Sequence, residues 1–416
     1  MITLTALVSG TMAATALQAG AAQGPRTMPA AAVDITHAMS PRERAACRYR
    51  VSPAPAVDTS ERVAPGASSP GPLPVPEVPA GGARMAECGM VLPPNAPPAP
   101  RGVGFASWMI TDLDSGAVLA ARDPHGRQRP ASLIKIVLGL VVARELDQRK
   151  VVIGTQEDAN QEGTKVGIGP GGRYTVNQLL HGLLMHSGND IAHALAVQLG
   201  GPEETVRKMN ALARKLGAHD TRIASPSGLD GPGMSSSAYD LSLLFRTAMN
   251  NRLFADAVHT KQLRFPGFRK NPPFVISNDN RLLGSYPGDL GGKTGFTDDA
   301  QHTFANAAER DGHRLALVMM YGTNHLEGMY RNAHQLMDYG FQLAAAGTPP
   351  VGRVPDEQAS GGVGPTRQVG NDNWNANTAS QPAGDGNGTG PWIVVVLVVV
   401  ILALIGGAVL RRRFRS

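Results

Sequence analysis

The sequence predicts an α+β domain over residues 101–345, with an antiparallel sheet covered by helices. Strand-like apolar runs lie at both ends of this region and helical patterns lie in its middle, an order typical of one sheet whose first and last segments meet. Of the 416 residues, 42% are hydrophobic, which is enough to bury a core and excludes a fully disordered chain. The chain has two cysteines, too few for a disulfide-rich scaffold.

The predicted strands come in two pairs. Residues 107–110 and 117–120 are short apolar runs joined by the turn sequence 112–116, a pattern typical of a hairpin. Residues 303–308 and 314–321 form a second strand-like pair near the end of the domain. Each end of the domain is therefore expected to contribute two strands to the sheet.

The helices are predicted between and after these strands. Residues 133–143 are apolar on every side except at Lys135, which predicts a helix buried in the middle of the domain. Residues 175–199 have helical spacing in two pieces, interrupted at residues 186–189, and residues 325–341 have the pattern of a last helix.

The segments on either side of the domain have a different composition. Residues 23–100 are rich in Pro and Ala and residues 346–391 in Gly, Asn and Pro, which predicts extended, solvated backbone: an N-terminal extension and a flexible linker. Cys47 and Cys88 both lie in the extension. In an exported chain, such a pair is expected to form a disulfide rather than two free thiols.

The two ends of the chain predict export and a single membrane anchor. Residues 1–22 are apolar, uncharged and rich in small residues, which resembles a secretory signal peptide, although no Lys or Arg precedes Arg26. Residues 392–410 are uncharged and long enough for a transmembrane helix. The basic tail at 411–416 then predicts a cytoplasmic C-terminus. We therefore expect a single-pass protein of the cell membrane whose folded domain is extracytoplasmic.

Charge and histidine content exclude two further classes of function. The formal net charge is +6, and four of the positive charges are arginines of the tail rather than of a folded face, so no nucleic-acid partner is expected. The 11 histidines are scattered without an H-E-x-x-H pattern, so no metal site and no cofactor are expected.

Ser132 and Lys135 form an S-x-x-K motif at the start of the buried helix. Residues three apart share a helical face. Burial among apolar neighbours lowers the pKa of a lysine, and a neutral amine can accept the proton of a nearby hydroxyl and make its oxygen nucleophilic. Taken alone, Ser132 is also consistent with a helix N-cap and Lys135 with a surface lysine.

Ser187 and Asn189 form an S-x-N motif at the break between two predicted helical pieces. Such a sequence is also typical of a simple helix cap. In a functional interpretation, Ser187 relays a proton to a leaving amine, and Asn189 hydrogen-bonds both Lys135 and the substrate backbone. His186 is a weaker candidate for a base.

Lys293, Thr294 and Gly295 form a K-T-G motif in a predicted edge strand. A glycine in an edge strand lets a peptide backbone approach closely. The lysine and threonine offer a charge and a hydroxyl to a carboxylate. Taken alone, Lys293 is also consistent with a lysine on a strand surface.

In this order, the three motifs resemble those of serine-type D-alanyl-D-alanine carboxypeptidases, which are low-molecular-mass penicillin-binding proteins. The resemblance covers roughly residues 100–345 and includes the flanking segments 226–230 and 278–280. It implies the fold of β-lactamases and penicillin-binding-protein transpeptidases, an antiparallel sheet with helices on both sides. Members with a second, β-rich domain are known, but residues 346–391 are poor in apolar side chains, so we expect no such domain between residue 345 and the predicted anchor.

The resemblance also implies roles for the motif residues. Ser132 attacks the bond between two D-alanines and becomes an acyl ester, Lys135 accepts its proton, and Ser187 and Asn189 complete the proton path. Water then releases the shortened peptide.

Substrate binding is implied in the same way. Lys293 and Thr294, in the strand of Gly295, bind the terminal carboxylate, and the backbone N–H groups of Ser132 and Phe296 form an oxyanion hole. The expected partners are peptidoglycan stem peptides ending in D-Ala-D-Ala, with β-lactams as covalent inhibitors.

Three alternatives stay open. The same motifs serve a D,D-transpeptidase or endopeptidase acting on peptidoglycan crosslinks. A class A-like β-lactamase needs a deacylating glutamate in an E-x-x-L-N sequence, and Glu203 and Asn210 do not have that spacing. A catalytically silent cell-wall binding module is opposed by the intact pair of Ser132 and Lys135.

Overall fold

The structure, a computed structural model, describes residues 47–357. The predicted signal peptide at residues 1–22, transmembrane helix at 392–410 and basic tail at 411–416 lie outside the described residues. Within residues 47–357, no helix is both long enough and apolar enough to cross a bilayer.

An antiparallel sheet of seven strands forms the centre of the fold. The strands of the described residues, in chain order, are β1 Met90–Val91, β2 Phe105–Asp112, β3 Ala117–Arg122, β4 Val151–Ile153, β5 Arg173–Thr175, β6 Gln262–Phe265, β7 Phe274–Ser277, β8 Asp289–Thr297, β9 Gln301–Arg310, β10 His313–Gly322 and β11 Gly352–Arg353. The main sheet has the order β1-β3-β2-β10-β9-β8, with β11 also paired to β3. Two hairpin-like pairs, β4 with β5 and β6 with β7, lie outside it.

The strand pairing confirms the predicted meeting of the first and last segments. β2 and β3 form the first hairpin, and β9 and β10 form the second. β10 then pairs with β2, so that Leu317 lies opposite Ile110. Each strand is longer than its apolar run because backbone hydrogen bonds also bind the polar ends of the strands.

Nine α-helices lie in the described residues: α1 Lys135–Glu145, α2 Gln156–Ala159, α3 Val176–His186, α4 Asn189–Gln198, α5 Pro202–Leu216, α6 Ala238–Met249, α7 Arg252–His259, α8 Leu282–Ser285 and α9 Leu326–Ala345. Short 3₁₀ helices cover Ala83–Ala86 and Ala131–Ile134. The break predicted at 186–189 separates α3 from α4.

Helices cover both faces of the sheet. Successive side chains of a strand point to opposite faces. Met109 and its partner Val318 pack into the core that contains α1 and α6. Ile110 and its partner Leu317 pack into a second core, which contains α9. These two cores confirm the predicted α+β fold, with an antiparallel sheet between two helical layers.

The packed domain extends beyond the predicted limits of 101 and 345. In the extension, β1 pairs with β3, and Met85 and Val91 are buried in the core. In the predicted linker, β11 also pairs with β3, and Val354 is buried. Solvated backbone was therefore the wrong expectation for these parts, because their few apolar residues are placed where the sheet can bury them.

The disulfide between Cys47 and Cys88 joins the two ends of a segment that lies against the domain. We call residues 47–88 the disulfide loop. Its backbone carbonyls accept hydrogen bonds from the domain, since Arg127 donates to Val51 and Pro74. A proline-rich extended chain makes no internal hydrogen bonds, so its carbonyls are available to such donors.

Candidate active site

The three motifs meet in one cleft of about 510 Å³. The cleft lies at the end of the sheet where β8 ends and β9 begins. Five of the eight predicted site residues line it, namely Ser132, Ser187, Thr294, Gly295 and Phe296. Lys135, Asn189 and Lys293 are buried immediately beneath these residues.

Ser132 lies in the 3₁₀ turn Ala131–Ile134, which continues directly into α1. Two glycines allow this turn to pack tightly against its neighbours. A Cβ atom on Gly228 would lie 2.2 Å from the Ala131 carbonyl oxygen, and one on Gly295 would lie 2.9 Å from the Ser132 backbone nitrogen. These close approaches place the S-x-x-K motif directly against β8 and the 225–230 loop.

Lys135 is fully buried and its Nζ atom has three oxygen partners. It donates to Ser132 Oγ at 2.9 Å, to Asn189 Oδ1 at 2.8 Å and to the Ser227 carbonyl oxygen. The hydrogen bond to Asn189 is the one predicted from the sequence. The sequence indicated Ser227 only as part of the flanking segment 226–230, because a backbone carbonyl has no signature in a sequence.

The environment of Lys135 favours its neutral form. Burial lowers its pKa well below the usual value, and the nearby charge of Lys293 lowers it further, while Asp190 opposes both effects. A neutral amine has one lone pair. Of the three oxygen partners, only the Ser132 hydroxyl carries a proton, so the lone pair can accept a hydrogen bond from Ser132 alone.

Ser187 and Asn189 lie at the junction of α3 and α4. Ser187 ends α3 with φ of 60°, a left-handed conformation that costs a residue other than glycine about 1 kcal/mol or more. This backbone directs the chain so that Ser187 lines the cleft. Asn189 donates its side-chain N–H to the Glu162 carbonyl at 2.7 Å, which fixes the amide that contacts Lys135.

Asp190 supports the site from beneath and was missed as a functional residue. Its buried carboxylate accepts hydrogen bonds from the backbone N–H groups of Val166, Gly167 and Ile168 at 2.7–3.1 Å. It thereby holds the 162–168 loop against the start of α4. An acidic residue directly after Asn189 in the first turn of a helix was the available signal.

Lys293 is buried in β8, which excludes the alternative of a lysine on a strand surface. Only 1% of the residue is exposed, and its Nζ atom donates to the Thr294 carbonyl at 2.7 Å. Burial lowers its pKa to about 8, with Asp279 opposing the shift. β8 is an edge strand of the sheet, as predicted, but Thr294 rather than Lys293 faces the cleft.

The far wall of the cleft contains residues that the motifs did not indicate. Arg281 lies over the ring of Tyr330 at 5.7 Å, and both line the cleft. The ring of Phe296 contacts that of His302 at 4.9 Å. His186 pairs with Asp279 at 2.9 Å, and this contact raises its pKa.

Comparison with known proteins decides the family. Residues 95–324, more than half of the chain, match the sequence model of the D-alanyl-D-alanine carboxypeptidases of peptidase family S11. The chain belongs to this family. The match and the relatives below indicate a serine-type peptidase, a hydrolase of the D-alanyl-D-alanine carboxypeptidase class.

Two curated relatives illustrate the range of similarity within the family. The D-alanyl-D-alanine carboxypeptidase DacB2 of Mycobacterium tuberculosis is 46% identical over 257 residues, which cover 61% of this chain and 87% of the relative. The D-alanyl-D-alanine carboxypeptidase DacF of Bacillus subtilis is 30% identical, and the match covers 56% of this chain but only 61% of that longer relative.

Solved structures show the same fold. A crystal structure of D-alanyl-D-alanine carboxypeptidase from Mycobacterium tuberculosis has a TM-score of 0.58 at 46% identity and covers 61% of this chain and 96% of its own. The Streptomyces K15 DD-transpeptidase has a TM-score of 0.56 at 27% identity and covers 59% of this chain and all of its own.

Proposed function

We propose that this chain is a serine D,D-carboxypeptidase that removes the terminal D-alanine from peptidoglycan stem pentapeptides. The observation that carries the proposal is the 2.9 Å hydrogen bond between Lys135 Nζ and Ser132 Oγ at the base of the cleft. A buried amine beside a hydroxyl supports covalent catalysis. The family match supports D-alanyl-D-alanine as the group that is cleaved.

Acylation uses the contacts described above. Lys135 accepts the hydroxyl proton as Ser132 Oγ forms a bond to the carbonyl carbon of the penultimate D-alanine. The backbone N–H groups of Ser132 and Phe296 stabilise the resulting oxyanion. The C–N bond then breaks, the proton passes through Ser187 to the leaving amine, and the terminal D-alanine departs. Water hydrolyses the ester in the second half of the reaction.

Carboxylate recognition gives the enzyme its specificity for a free C-terminus. Thr294 offers its hydroxyl from the cleft wall, and Lys293 adds a positive charge from directly beneath the strand. Arg281 is a second cation on the far wall. If Lys293 binds the carboxylate, the Lys293 variant should lose the preference for a free acid. If Arg281 binds it, the Arg281 variant should lose that preference.

The test compares D-alanine release from a free-acid pentapeptide and from its C-terminal amide. Loss of a charge partner in a partly desolvated site costs about 2–5 kcal/mol, so Lys293→Ala should lower kcat/KM on the free acid by roughly two to three orders of magnitude. The amide should lose much less. Arg281→Ala is the matched control and should change both substrates equally.

Two outcomes would contradict this assignment. Equal losses of Lys293→Ala on both substrates would give Lys293 a role in the chemical step or in folding. A selective loss in Arg281→Ala would transfer carboxylate recognition to the far wall of the cleft.

Transpeptidation is the second candidate function, because one structural neighbour is a DD-transpeptidase. An added amino-ended peptide would then replace water as the acceptor of the acyl group. Mass spectrometry of the products distinguishes the two, since hydrolysis yields a tetrapeptide and transfer yields a longer crosslinked peptide. We expect hydrolysis to dominate.

β-Lactam sensitivity follows from the same chemistry. A β-lactam presents a strained amide and a carboxylate in the positions where D-Ala-D-Ala presents its peptide bond and its terminal carboxylate. A class A-like β-lactamase uses a glutamate for rapid deacylation. In the described residues, no carboxylate is hydrogen-bonded to Ser132 or Lys135, so we expect deacylation to be slow. We expect a long-lived penicilloyl ester on Ser132.

Export and anchoring complete the proposal, and they rest on the sequence of residues 1–22 and 392–416. Protease added to intact spheroplasts should release an active soluble fragment by cleavage within residues 358–391. Full protection of the enzyme in sealed right-side-out vesicles would contradict an extracytoplasmic catalytic domain.

A further inference from the structure

The disulfide loop binds the domain at both sides of the predicted oxyanion hole. On one side, Glu61 of the loop accepts a hydrogen bond from Arg129, which precedes Ser132 by three residues. On the other side, the loop contacts Asp299, which follows Phe296 by three residues. The two backbone N–H groups of the oxyanion hole belong to Ser132 and Phe296.

The contact at Arg129 is buried and specific. Arg129 is 3% exposed, and its Nε atom donates to Glu61 Oε1 at 2.5 Å. Its Nη1 atom donates to the Ala54 carbonyl of the same loop at 2.8 Å. Pro130 then leads into the nucleophile turn, with its carbonyl bound to Thr303 Oγ1 of β9 at 3.0 Å.

The contact at Asp299 is equally direct. Its carboxylate is fully buried and lies in the turn that joins β8 to β9. It accepts a hydrogen bond from the backbone N–H of Val57 at 2.5 Å and one from Ser60 Oγ at 3.2 Å. A carboxylate oxygen of Asp299 also lies 4.0 Å from the Arg129 guanidinium. Loop residues 54–61 therefore bridge the two segments that carry the oxyanion donors.

We propose that Glu61, Arg129 and Asp299 are positioning residues that fix the spacing of the two oxyanion donors, so that the docked disulfide loop is required for full acylation rate. The inference rests on the proposed roles of Ser132 and Phe296. A donor displaced by a fraction of an ångström loses stabilisation of the transition state more than of the bound substrate. The loop therefore acts on kcat rather than on KM.

The principal test measures acylation by a D-Ala-D-Ala peptide together with the affinity of a peptide boronic acid. Boron bonded to Ser132 Oγ is tetrahedral and places an oxygen in the oxyanion hole. Misplacement of catalytic groups costs up to about a hundredfold. We expect Glu61→Ala to lower both the acylation rate and the boronate affinity by roughly tenfold or more, with KM changed less than about twofold.

Two further variants separate positioning from loss of structure. Glu61→Gln keeps an oxygen acceptor at the same reach and should recover most of the lost rate. Arg222→Ala removes a different contact of the same loop, the 2.8 Å hydrogen bond from Arg222 to the Gly71 carbonyl. It should leave the acylation rate and the boronate affinity unchanged.

Reduction provides a test without mutation. The chain has two cysteines and both are in this disulfide, so a phosphine reductant opens only the loop. Reduced wild type should lose acylation rate, and reduced Glu61→Ala should lose little more, because both changes release the same contact.

Unchanged acylation and boronate affinity in Glu61→Ala would overturn the proposal. An equal loss in Arg222→Ala would also overturn it, since the loop would then act through general stability. Failure of the underlying function has a different result: wild type itself would release no D-alanine, or Ser132→Ala would still do so.

Discussion

Two lysine side chains are buried beneath the cleft, and each has a distinct electrostatic role. Lys135 and Lys293 are 0% and 1% exposed, and in the described part of the chain neither belongs to an ion pair within 4 Å. Removing an ammonium group from water disfavours its charged form. The same burial makes Lys135 a usable base and makes Lys293 a cation whose charge depends on pH near neutrality.

The pH dependence of kcat/KM should therefore have two limbs. The proposed mechanism needs neutral Lys135, whose pKa is lowered by burial and by Lys293, so the rate should rise with pH well below the usual lysine range. The proposed carboxylate binding needs charged Lys293, whose pKa is about 8, so kcat/KM should fall above that pH. Stopped-flow acylation between pH 5 and about 10 measures both limbs.

Lys293→Gln tests the coupling between the two groups. Removal of a positive neighbour raises the pKa of Lys135, so the rising limb should move to higher pH while the falling limb disappears. A rising limb at the same pH in the variant would show that burial alone sets the pKa of Lys135.

We expect the side chain of Ser187 to assist catalysis and its strained backbone to lower the stability of the fold. Its φ of 60° is strained for serine but not for glycine. Ser187→Gly should raise the free energy of unfolding by about 0.5–1 kcal/mol and should slow release of the leaving amine. Urea unfolding and D-alanine release measure the two effects, and a loss of stability would contradict the strain argument.

At the scale of elements, the helix break between α3 and α4 depends on a loop that Asp190 holds in place. One carboxylate receives three backbone N–H groups from residues 166–168. The loop in turn accepts hydrogen bonds from Asn189 through the carbonyls of Glu162 and Thr164. The position of the S-x-N motif is therefore fixed by a side chain outside the motif.

Asp190→Asn should destabilise the protein and slow acylation together. The amide offers one oxygen and turns its N–H₂ group toward N–H donors, so buried donors lose their partners. We expect the free energy of unfolding to fall by about 2–3 kcal/mol in urea titration. Asp112→Asn is the control, because Asp112 accepts from Ser115 in an exposed turn, and it should change stability by less than about 1 kcal/mol.

Elements and motifs with local patterns were predictable, and long-range contacts were not. The spacing of Ser132 and Lys135 indicated a shared helical face because three residues make almost one turn. The contact between Glu61 and Arg129 spans 68 residues, and the proline-rich composition around Glu61 indicated a solvated chain. The available signal was the presence of Arg127 and Arg129 shortly before Ser132, since buried guanidinium groups need many acceptors.

At the scale of the whole molecule, the disulfide closes the N-terminal part of the described chain into a loop, residues 47–88, that packs against the domain. Cys47 and Cys88 are 41 residues apart in sequence with Cα atoms 5.7 Å apart. Closing a loop of this length restricts the unfolded chain, which stabilises the folded domain by about 4 kcal/mol in the chain-entropy model.

Replacement of both cysteines should reveal this contribution. The double variant Cys47→Ser with Cys88→Ser should lose about 2–4 kcal/mol in urea unfolding. Wild type in a phosphine reductant should approach the same value, whereas the variant should not respond to the reductant. A difference below about 1 kcal/mol would mean that the hydrogen bonds of Arg127 and Arg129 hold the loop without the covalent link.

The central claim is that Ser132, activated by Lys135, forms the acyl-enzyme. The most direct measurement is peptide mapping by mass spectrometry after brief reaction of the intact protein with benzylpenicillin. The adduct is predicted on the peptide that contains Ser132, with no adduct in Ser132→Ala and strongly slowed formation in Lys135→Met. An adduct on Ser187 or elsewhere, or undiminished D-alanine release by Ser132→Ala, would contradict the account.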